Sequence, residues 1–198
     1  MIEAAERIVA AGSIASIAGV LNGTCNFVLD RCGRGEALQE ALAEARRAGF
    51  AEADASEDLS GADAGRKICV VARRAFDAEV RLVELQRLND ATADWAQEVA
   101  AHGLRLRQVC RAARCDGEVR ATVGFEAVPA DSVFGRLRDE WNALQILEKD
   151  GAVHFIMGRG AGKWPTTEAI LGDLFQVWRE LLHSEADRCT GARLRRGA

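Results

Sequence analysis

The segment GFAEADASEDLSGADAGRK, Gly49 to Lys67, holds the side chains with the clearest capacity for chemistry. Carboxylates can bind an ammonium group, and a lysine can hold or move a proton. Asp63 and Lys67 stand four residues apart where apolar residues recur at helical spacing, so both should lie on one face of a helix. The segment is therefore either the wall of a pocket that holds an amino acid and moves a proton, or a solvated acidic loop.

The ordinary interpretation of the same residues is purely structural. Ser60 and Asp63 fit the Ser-x-x-Asp pattern of a helix cap, and an exposed Asp63–Lys67 pair would contribute only ~0.2–0.5 kcal/mol. Glu57 and Asp58 are interpreted as solvated loop charges. Lys67 nevertheless raises a chemical question, because lysine occurs at only three of the 26 basic positions and arginine cannot deprotonate.

A second segment, AVHFIMGRGAGKWPTTEA, has the outline of a phosphate-binding loop but lacks its defining residues. Met157 stands where a nucleotide triphosphate loop needs its first glycine, and Trp164 replaces the metal-binding hydroxyl. The dinucleotide fingerprint also fails, because Lys163 follows Gly158 and Gly160 where a third glycine is required. The local pattern predicts only a tight turn between a strand and a helix.

The hydrophobic pattern predicts the elements that would position these side chains. A buried strand, SIASIAGV, leads to a turn at Asn22-Gly23, after which Thr24 can cap a helix that runs to about Cys32. In a later helix, Trp95 and Val99 should face inward. The helices besides the one at Thr24 are expected at about 2–11, 36–49, 61–76, 91–102 and 164–182.

The later part of the sequence predicts strands. LRLRQVCRAAR and EVRATVGFEAV alternate around Asp116-Gly117, and a second hairpin centres on Asp150-Gly151. Helices followed by two hairpins and a closing helix are typical of an α+β domain in which helices cover one face of a mixed β-sheet. Because no repeat or linker divides the chain, residues 1–198 are expected to form a single domain.

Composition excludes several classes of protein. The chain of 198 residues is 48% hydrophobic, enough for a sizeable core. A net charge of -4 with scattered arginines argues against nucleic-acid binding, and no apolar run reaches the ~18 residues of a membrane helix. The six cysteines show no CxxC or His-Cys spacing, which indicates reduced, buried thiols and no metal site. We expect a cytoplasmic protein.

Three segments, in order GVLNGTCNFVL, GFAEADASEDLSGADAGRK and GRGAGKWPTTEAILGDL, resemble the substrate-binding and catalytic region of homoserine dehydrogenases. The resemblance runs from about residue 1 to residue 182. It implies an oxidoreductase of amino-acid biosynthesis that interconverts homoserine and aspartate semialdehyde with NAD or NADP. It also implies a homodimer, and it allows a monovalent cation to which no residue can be assigned.

The resemblance implies roles for the acidic segment. Glu52 and Asp63 would bind the amino and hydroxyl ends of the substrate, and Lys67 would be the acid/base group, with Asp63 beside it in catalysis. Whether Lys67 gives or takes the proton stays open.

Two further groups of residues gain roles from the resemblance. Asn22, Gly23 and Thr24 would bind substrate at the boundary with the nicotinamide. Gly160 and Gly162, in the turn that leads toward the nucleotide domain, are a weaker assignment to cofactor binding.

The sequence also departs from the family. No Rossmann nucleotide-binding domain is recognisable. The chain is therefore expected to be a catalytic, substrate-binding and dimerisation domain whose nucleotide domain is either missing through truncation or supplied by another chain. The alternative is a stand-alone descendant that binds a small amino acid and carries out non-redox acid/base chemistry, or binding only. Gly65 replaces a better helix former, at a cost of ~1 kcal/mol relative to alanine.

Overall fold

The computed structural model describes residues 14–139 and 141–159. The helices predicted at 2–11 and 164–182, and the candidate cofactor residues Gly160 and Gly162, lie outside the described residues. In chain order the elements are β1 (Ile14–Val20), α1 (Gly23–Cys32), α2 (Leu38–Arg47), α3 (Ser56–Ser60), α4 (Ala62–Phe76), β2 (Val80–Leu85), α5 (Asp90–Ala101), β3 (Leu104–Cys115), β4 (Glu118–Pro129), α6 (Val133–Arg136), β5 (Trp141–Glu148) and β6 (Val153–Arg159).

The described strands form one mixed sheet in the order β2-β4-β3-β1-β5-β6. Neighbouring strands are antiparallel except for the parallel pair β2–β4. Both predicted hairpins are confirmed. At the first, Asp116 and Gly117 take φ values of 52° and 85°, the positive pair that a two-residue turn of type I′ requires.

The helices cover one face of the sheet, as predicted. Helix α4 packs through Ile68 and Ala72 onto β1, β3 and β4, and α1, α2 and α5 form a second apolar cluster over the sheet near Leu106. A smaller cluster on the opposite face contains Phe134 and Val109. Within the described residues the fold is therefore α+β, with α1, α2, α4 and α5 on one side of the sheet and the short α6 on the other.

The predicted orientation of Trp95 is wrong. Its side chain is 38% exposed, whereas Ala93, Ala96 and Val99 form the buried face of α5. These three residues recur at helical spacing and are small enough for α5 to approach the neighbouring helices closely. The indole is displaced from that stripe to the exposed flank of the helix.

Strand β2 was not predicted, and it explains Gly65. A Cβ added at Gly65 would lie 3.0 Å from Leu82 Cδ2 and 3.3 Å from Leu85 Cδ1. The glycine that weakens helix propensity therefore lets β2 pack closely against α4. The sequence concealed this strand because its parallel pairing with β4 is non-local and involves no hairpin turn.

The described cysteines are free thiols. Cys25, Cys32 and Cys110 are buried as predicted, but Cys115 is exposed because it ends β3 beside the hairpin turn. Among the described residues, no helix is long and apolar enough to cross a membrane.

Candidate active site

Helix α1 begins at the edge of the acidic segment, and Asn22 caps it. Asn22 Oδ1 accepts a hydrogen bond from the backbone N–H of Cys25 at 2.8 Å. The prediction that Thr24 is the cap is wrong. Thr24 is the second residue of the helix, after Gly23, and its hydroxyl donates to the carbonyl of Phe50 at 2.6 Å. That bond ties α1 to the chain just before Glu52.

The N-cap of helix α4 is not the residue that the sequence pattern predicted. The predicted cap residue, Ser60, ends the one-turn helix α3, and the N-cap of α4 is Gly61 with φ 79° and no side-chain cap. The Ser60–Asp63 capping pattern therefore does not form. Because Gly61 can adopt left-handed backbone, α3 turns sharply into α4 and leaves the Asp63 carboxylate available for other partners.

The predicted pair of Asp63 and Lys67 forms at the surface end of α4. Lys67 Nζ donates to Asp63 Oδ2 at 2.7 Å and to the carbonyl of Leu21 at 3.3 Å. The two side chains are 49% exposed for Lys67 and 24% exposed for Asp63. The ammonium group thus makes two hydrogen bonds. Because an ammonium has three N–H donors, one remains without a partner among the described residues.

The structure brings in Asp58, which the sequence interpretation treated as a solvated loop charge. Asn22 Nδ2 donates to Asp58 Oδ1 at 2.7 Å and to Asp63 Oδ2 at 3.1 Å. The interpretation is therefore wrong for Asp58, while Glu57 is exposed and pairs with Arg66.

A local signal for this arrangement was present in the sequence. Asp54 Oδ1 accepts from the backbone N–H of Ser56 at 2.9 Å, a short turn that starts α3. An Asp-x-Ser turn before a single helical turn would have placed Asp58 on an ordered element.

Glu52 is not joined to this cluster by a bond. Its side chain is exposed, and among the described residues its carboxylate makes no hydrogen bond or ion pair. It lies two residues beyond Phe50, whose carbonyl is fixed by Thr24. Its role in binding the substrate amino group stays a prediction.

Buried thiols lie beneath the charged groups. Cys25 Sγ donates to the backbone carbonyl of Asp58 at 3.3 Å. Burial, and next the charge of Asp58, raises the pKa of Cys25 far above its usual value. Burial likewise raises the pKa of Cys110 to about 12, although Lys67 opposes the shift. Both thiols are therefore neutral at physiological pH, and the charge of the site comes from two carboxylates and one lysine.

This arrangement can bind a cationic amine and an alcohol together. Asp58 and Asp63 carry two negative charges against the one positive charge of Lys67, so a ligand ammonium would compensate the excess. The Asp63–Lys67 pair offers an acceptor and a donor to a hydroxyl group. The site thus suits a small amino alcohol or the aldehyde related to it.

Comparison with known proteins gives the same family from sequence and from structure. Residues 1–175 match the sequence profile of the family described as Homoserine dehydrogenase. The homoserine dehydrogenase of Corynebacterium glutamicum is 31% identical over 186 residues, which cover 89% of this chain and 42% of the relative. The NAD(+)-dependent homoserine dehydrogenase of Pseudomonas canavaninivorans is 28% identical, covering 89% of this chain and 51% of the relative.

A solved structure agrees. A homoserine dehydrogenase from Thiobacillus denitrificans matches with a TM-score of 0.77 and 27% identity, over 87% of this chain and 41% of that chain. The chain thus spans about half, or less, of the length of these relatives.

Proposed function

The chain belongs to the homoserine dehydrogenase family, and on that premise we propose that its site binds homoserine or aspartate semialdehyde and moves the proton during their interconversion. The observation that carries this proposal is the convergence of Asp58, Asp63 and Lys67 at the start of α1. Asp58 lies on α3, and Asp63 and Lys67 lie on α4. Asn22, at the start of α1, joins the two carboxylates, so one hydrogen-bonded cluster provides two carboxylates and an ammonium.

Recognition of the amino group falls to the carboxylates. Asp58 is joined to the cluster through Asn22, and Glu52 lies on the exposed loop that precedes α3. Charge-assisted hydrogen bonds from an ammonium to carboxylates are among the stronger polar contacts, so two such acceptors would select amino acids over simple alcohols. Glu52 would reach the ligand from the solvent side, since nothing among the described residues engages its carboxylate.

Proton movement falls to Lys67. Asp63 and the Leu21 carbonyl together fix the position of Nζ, so one N–H direction is available for a substrate oxygen. When the alcohol is oxidised, its hydroxyl proton must leave. When the aldehyde is reduced, its oxygen must gain one, and a positioned amine or ammonium can serve either direction. Asp63 orients the lysine and accepts from the substrate hydroxyl.

The reaction also needs a nicotinamide cofactor, and residues 14–139 and 141–159 contain no dinucleotide-binding unit of the Rossmann type. Proteins of the family use NAD or NADP, which exchanges the hydride. Dinucleotide sites are built on parallel βαβ units with a glycine fingerprint, whereas in residues 14–139 and 141–159 β2–β4 is the sole parallel pair. We propose that the cofactor is held outside the described residues, in the part that contains Gly160 and Gly162 or in a separate Rossmann-domain partner.

We further propose that the face of the sheet that the described residues leave exposed on β6 joins two copies of the chain. On β6, Val153, Phe155 and Met157 are 47%, 46% and 50% exposed. Met157 pairs with Ala143, which packs in the cluster opposite the large helices, so these side chains lie on that face.

Sedimentation analysis should show a dimer that Phe155→Glu dissociates. A native chain that stays monomeric at high concentration would contradict the proposed dimer.

Calorimetric titration with L-homoserine tests the proposal. The native chain should bind it, and Asp63→Ala should bind about tenfold or more weakly because a charged hydrogen-bond partner is lost. Arg73→Met is the matched control. It removes a cation on the same helix that pairs with exposed Glu79, and it should leave affinity unchanged. A folded native chain that fails to bind homoserine would contradict the proposal.

A parallel assay separates the proposal from a binding-only descendant. NADP+ or NAD+ is added with homoserine, and reduced nicotinamide is followed by absorbance. Turnover that Lys67→Met abolishes would support the dehydrogenase. Homoserine binding without turnover, even with a Rossmann-domain partner added, would favour the stand-alone alternative.

A further inference from the structure

Asn22 uses all of its side-chain polar groups within the protein. Its Oδ1 caps α1 through the N–H of Cys25 at 2.8 Å, and its Nδ2 donates to Asp58 at 2.7 Å and to Asp63 at 3.1 Å. The residue is only 3% exposed. An amide nitrogen has two hydrogens, so one carboxylate occupies each of them and no donor remains for a ligand.

The two carboxylates need such a bridge to stay together. Like charges that accept from one nitrogen repel each other, and in a partly buried site water screens that repulsion less than at an open surface. Lys67 compensates Asp63 directly, but among the described residues it makes no hydrogen bond or ion pair with Asp58. The carboxylate of Asp58, on the one-turn helix α3, has Asn22 as its only hydrogen-bond partner among the described residues.

We propose that Asn22 is a positioning residue, which holds Asp58 and Asp63 side by side before any ligand arrives. This inference rests on the proposed function, because it assigns Asn22 to the assembly of the amino-acid site. Asn22 acts through the two carboxylates instead of contacting the substrate itself. Because the same side chain caps α1, it fixes the start of that helix and the carboxylates of Asp58 and Asp63 relative to one another.

Asn89 provides a matched comparison in the same chain. It caps α5 in the same way, with Oδ1 accepting from the N–H of Thr92 at 3.0 Å. Within the described part of the chain, its Nδ2 donates to no carboxylate. Substitutions at Asn89 therefore reproduce the capping change at Asn22 without the change at the carboxylates.

The first test observes the bridge in the ligand-free chain by NMR. The side-chain amide protons of Asn22 should exchange with water at least about tenfold more slowly than those of Asn89, because both protons of Asn22 are buried and hydrogen-bonded. Asp58→Ala should move the Asn22 amide resonances and speed their exchange, and it should leave those of Asn89 in place. Equal exchange at both asparagines, with no response to Asp58→Ala, would overturn the inference.

The second test measures L-homoserine affinity in two variants that keep the cap. Asn22→Asp retains the capping oxygen and the shape, but it presents a carboxylate to two others. Asn22→Ser retains the cap and is too short to bridge. Each should weaken binding about tenfold or more, while Asn89→Asp and Asn89→Ser should leave it unchanged. Native affinity in a folded Asn22→Asp variant would overturn the inference.

The two tests separate this inference from the proposed function. If the native chain binds no homoserine, the proposed function fails. Slow exchange of the Asn22 amide that depends on Asp58 would then still support the bridge, and fast exchange would reject it.

Discussion

Two acid–base pairs in this molecule have nearly the same length and opposite surroundings. Lys67 Nζ lies 2.7 Å from Asp63, and a guanidinium nitrogen of Arg107 lies 2.8 Å from Asp30. The side chains of the first pair are 49% and 24% exposed, whereas those of the second are 0% and 10% exposed. Distance alone would therefore give the two pairs the same role.

The buried pair has no capacity left for a ligand. Beyond Asp30, the Arg107 guanidinium donates to the carbonyls of Phe134 at 3.1 Å, Leu137 at 3.0 Å and Gly135 at 3.3 Å. Burial lowers the pKa of Arg107, but arginine stays charged in proteins. This network ties α1 and the α6 segment to β3.

Unused hydrogen-bonding capacity therefore distinguishes a binding site from a structural ion pair in this molecule. Asp30 also accepts from Arg105 at 2.9 Å, so it is enclosed by cations. Lys67 retains a donor and half of its surface, and Asp63 belongs to a group with excess negative charge. The buried pair should thus determine stability, and the open pair should determine binding.

The largest predicted effect is the loss of the buried counter-charge. Asp30→Ala leaves the buried guanidinium of Arg107 without its carboxylate, which should lower the free energy of unfolding by ~3–5 kcal/mol. Urea unfolding followed by circular dichroism measures this change. Asp63→Ala is the control and should cost less than about 1 kcal/mol, because its pair is exposed. Equal losses of unfolding free energy in both variants would contradict the distinction between a structural pair and a binding pair.

A smaller effect is expected when the open pair is broken from the lysine side. Lys67→Met keeps most of the aliphatic side chain and removes the charge, so the free energy of unfolding should change by no more than a few tenths of a kcal/mol. The same variant should lose the nicotinamide-linked turnover described above. A loss of stability above about 2 kcal/mol would mean that Lys67 is a structural residue.

Sequence patterns predicted the main features of the fold because those features are local. Alternating residues around Asp116-Gly117 and helical spacing in α2 and α4 specify their elements within a few neighbours. Strand β2 escaped because its partner β4 lies far along the chain. The orientation of Trp95 was predicted wrongly because hydrophobicity alone does not show whether the packed neighbours of a helix leave room for a large side chain.

The candidate site was predictable only in part, for a related reason. The i,i+4 spacing of Asp63 and Lys67 is a property of one helix, and the structure confirms that the two side chains pair. The contact between Asn22 and Asp58 joins residues 36 positions apart, so no local spacing indicates it. The position of Glu52 relative to a ligand remains a prediction.

The last prediction concerns whether the candidate site stays assembled in solution. Cys25 is fully buried, and its thiol donates to the Asp58 carbonyl directly beneath the carboxylate wall, while Cys115 is exposed. A maleimide should modify Cys115 rapidly at neutral pH and Cys25 at least about a hundredfold more slowly, because burial restricts access and keeps the thiol protonated. Peptide mass spectrometry at timed intervals measures both rates in one sample. Comparable rates would show that α3 opens readily from α1. Asp58 would then be separated from Asn22 for much of the time. In that case the candidate site would not be pre-formed, and it could not be contrasted with the fixed structural pair of Arg107 and Asp30.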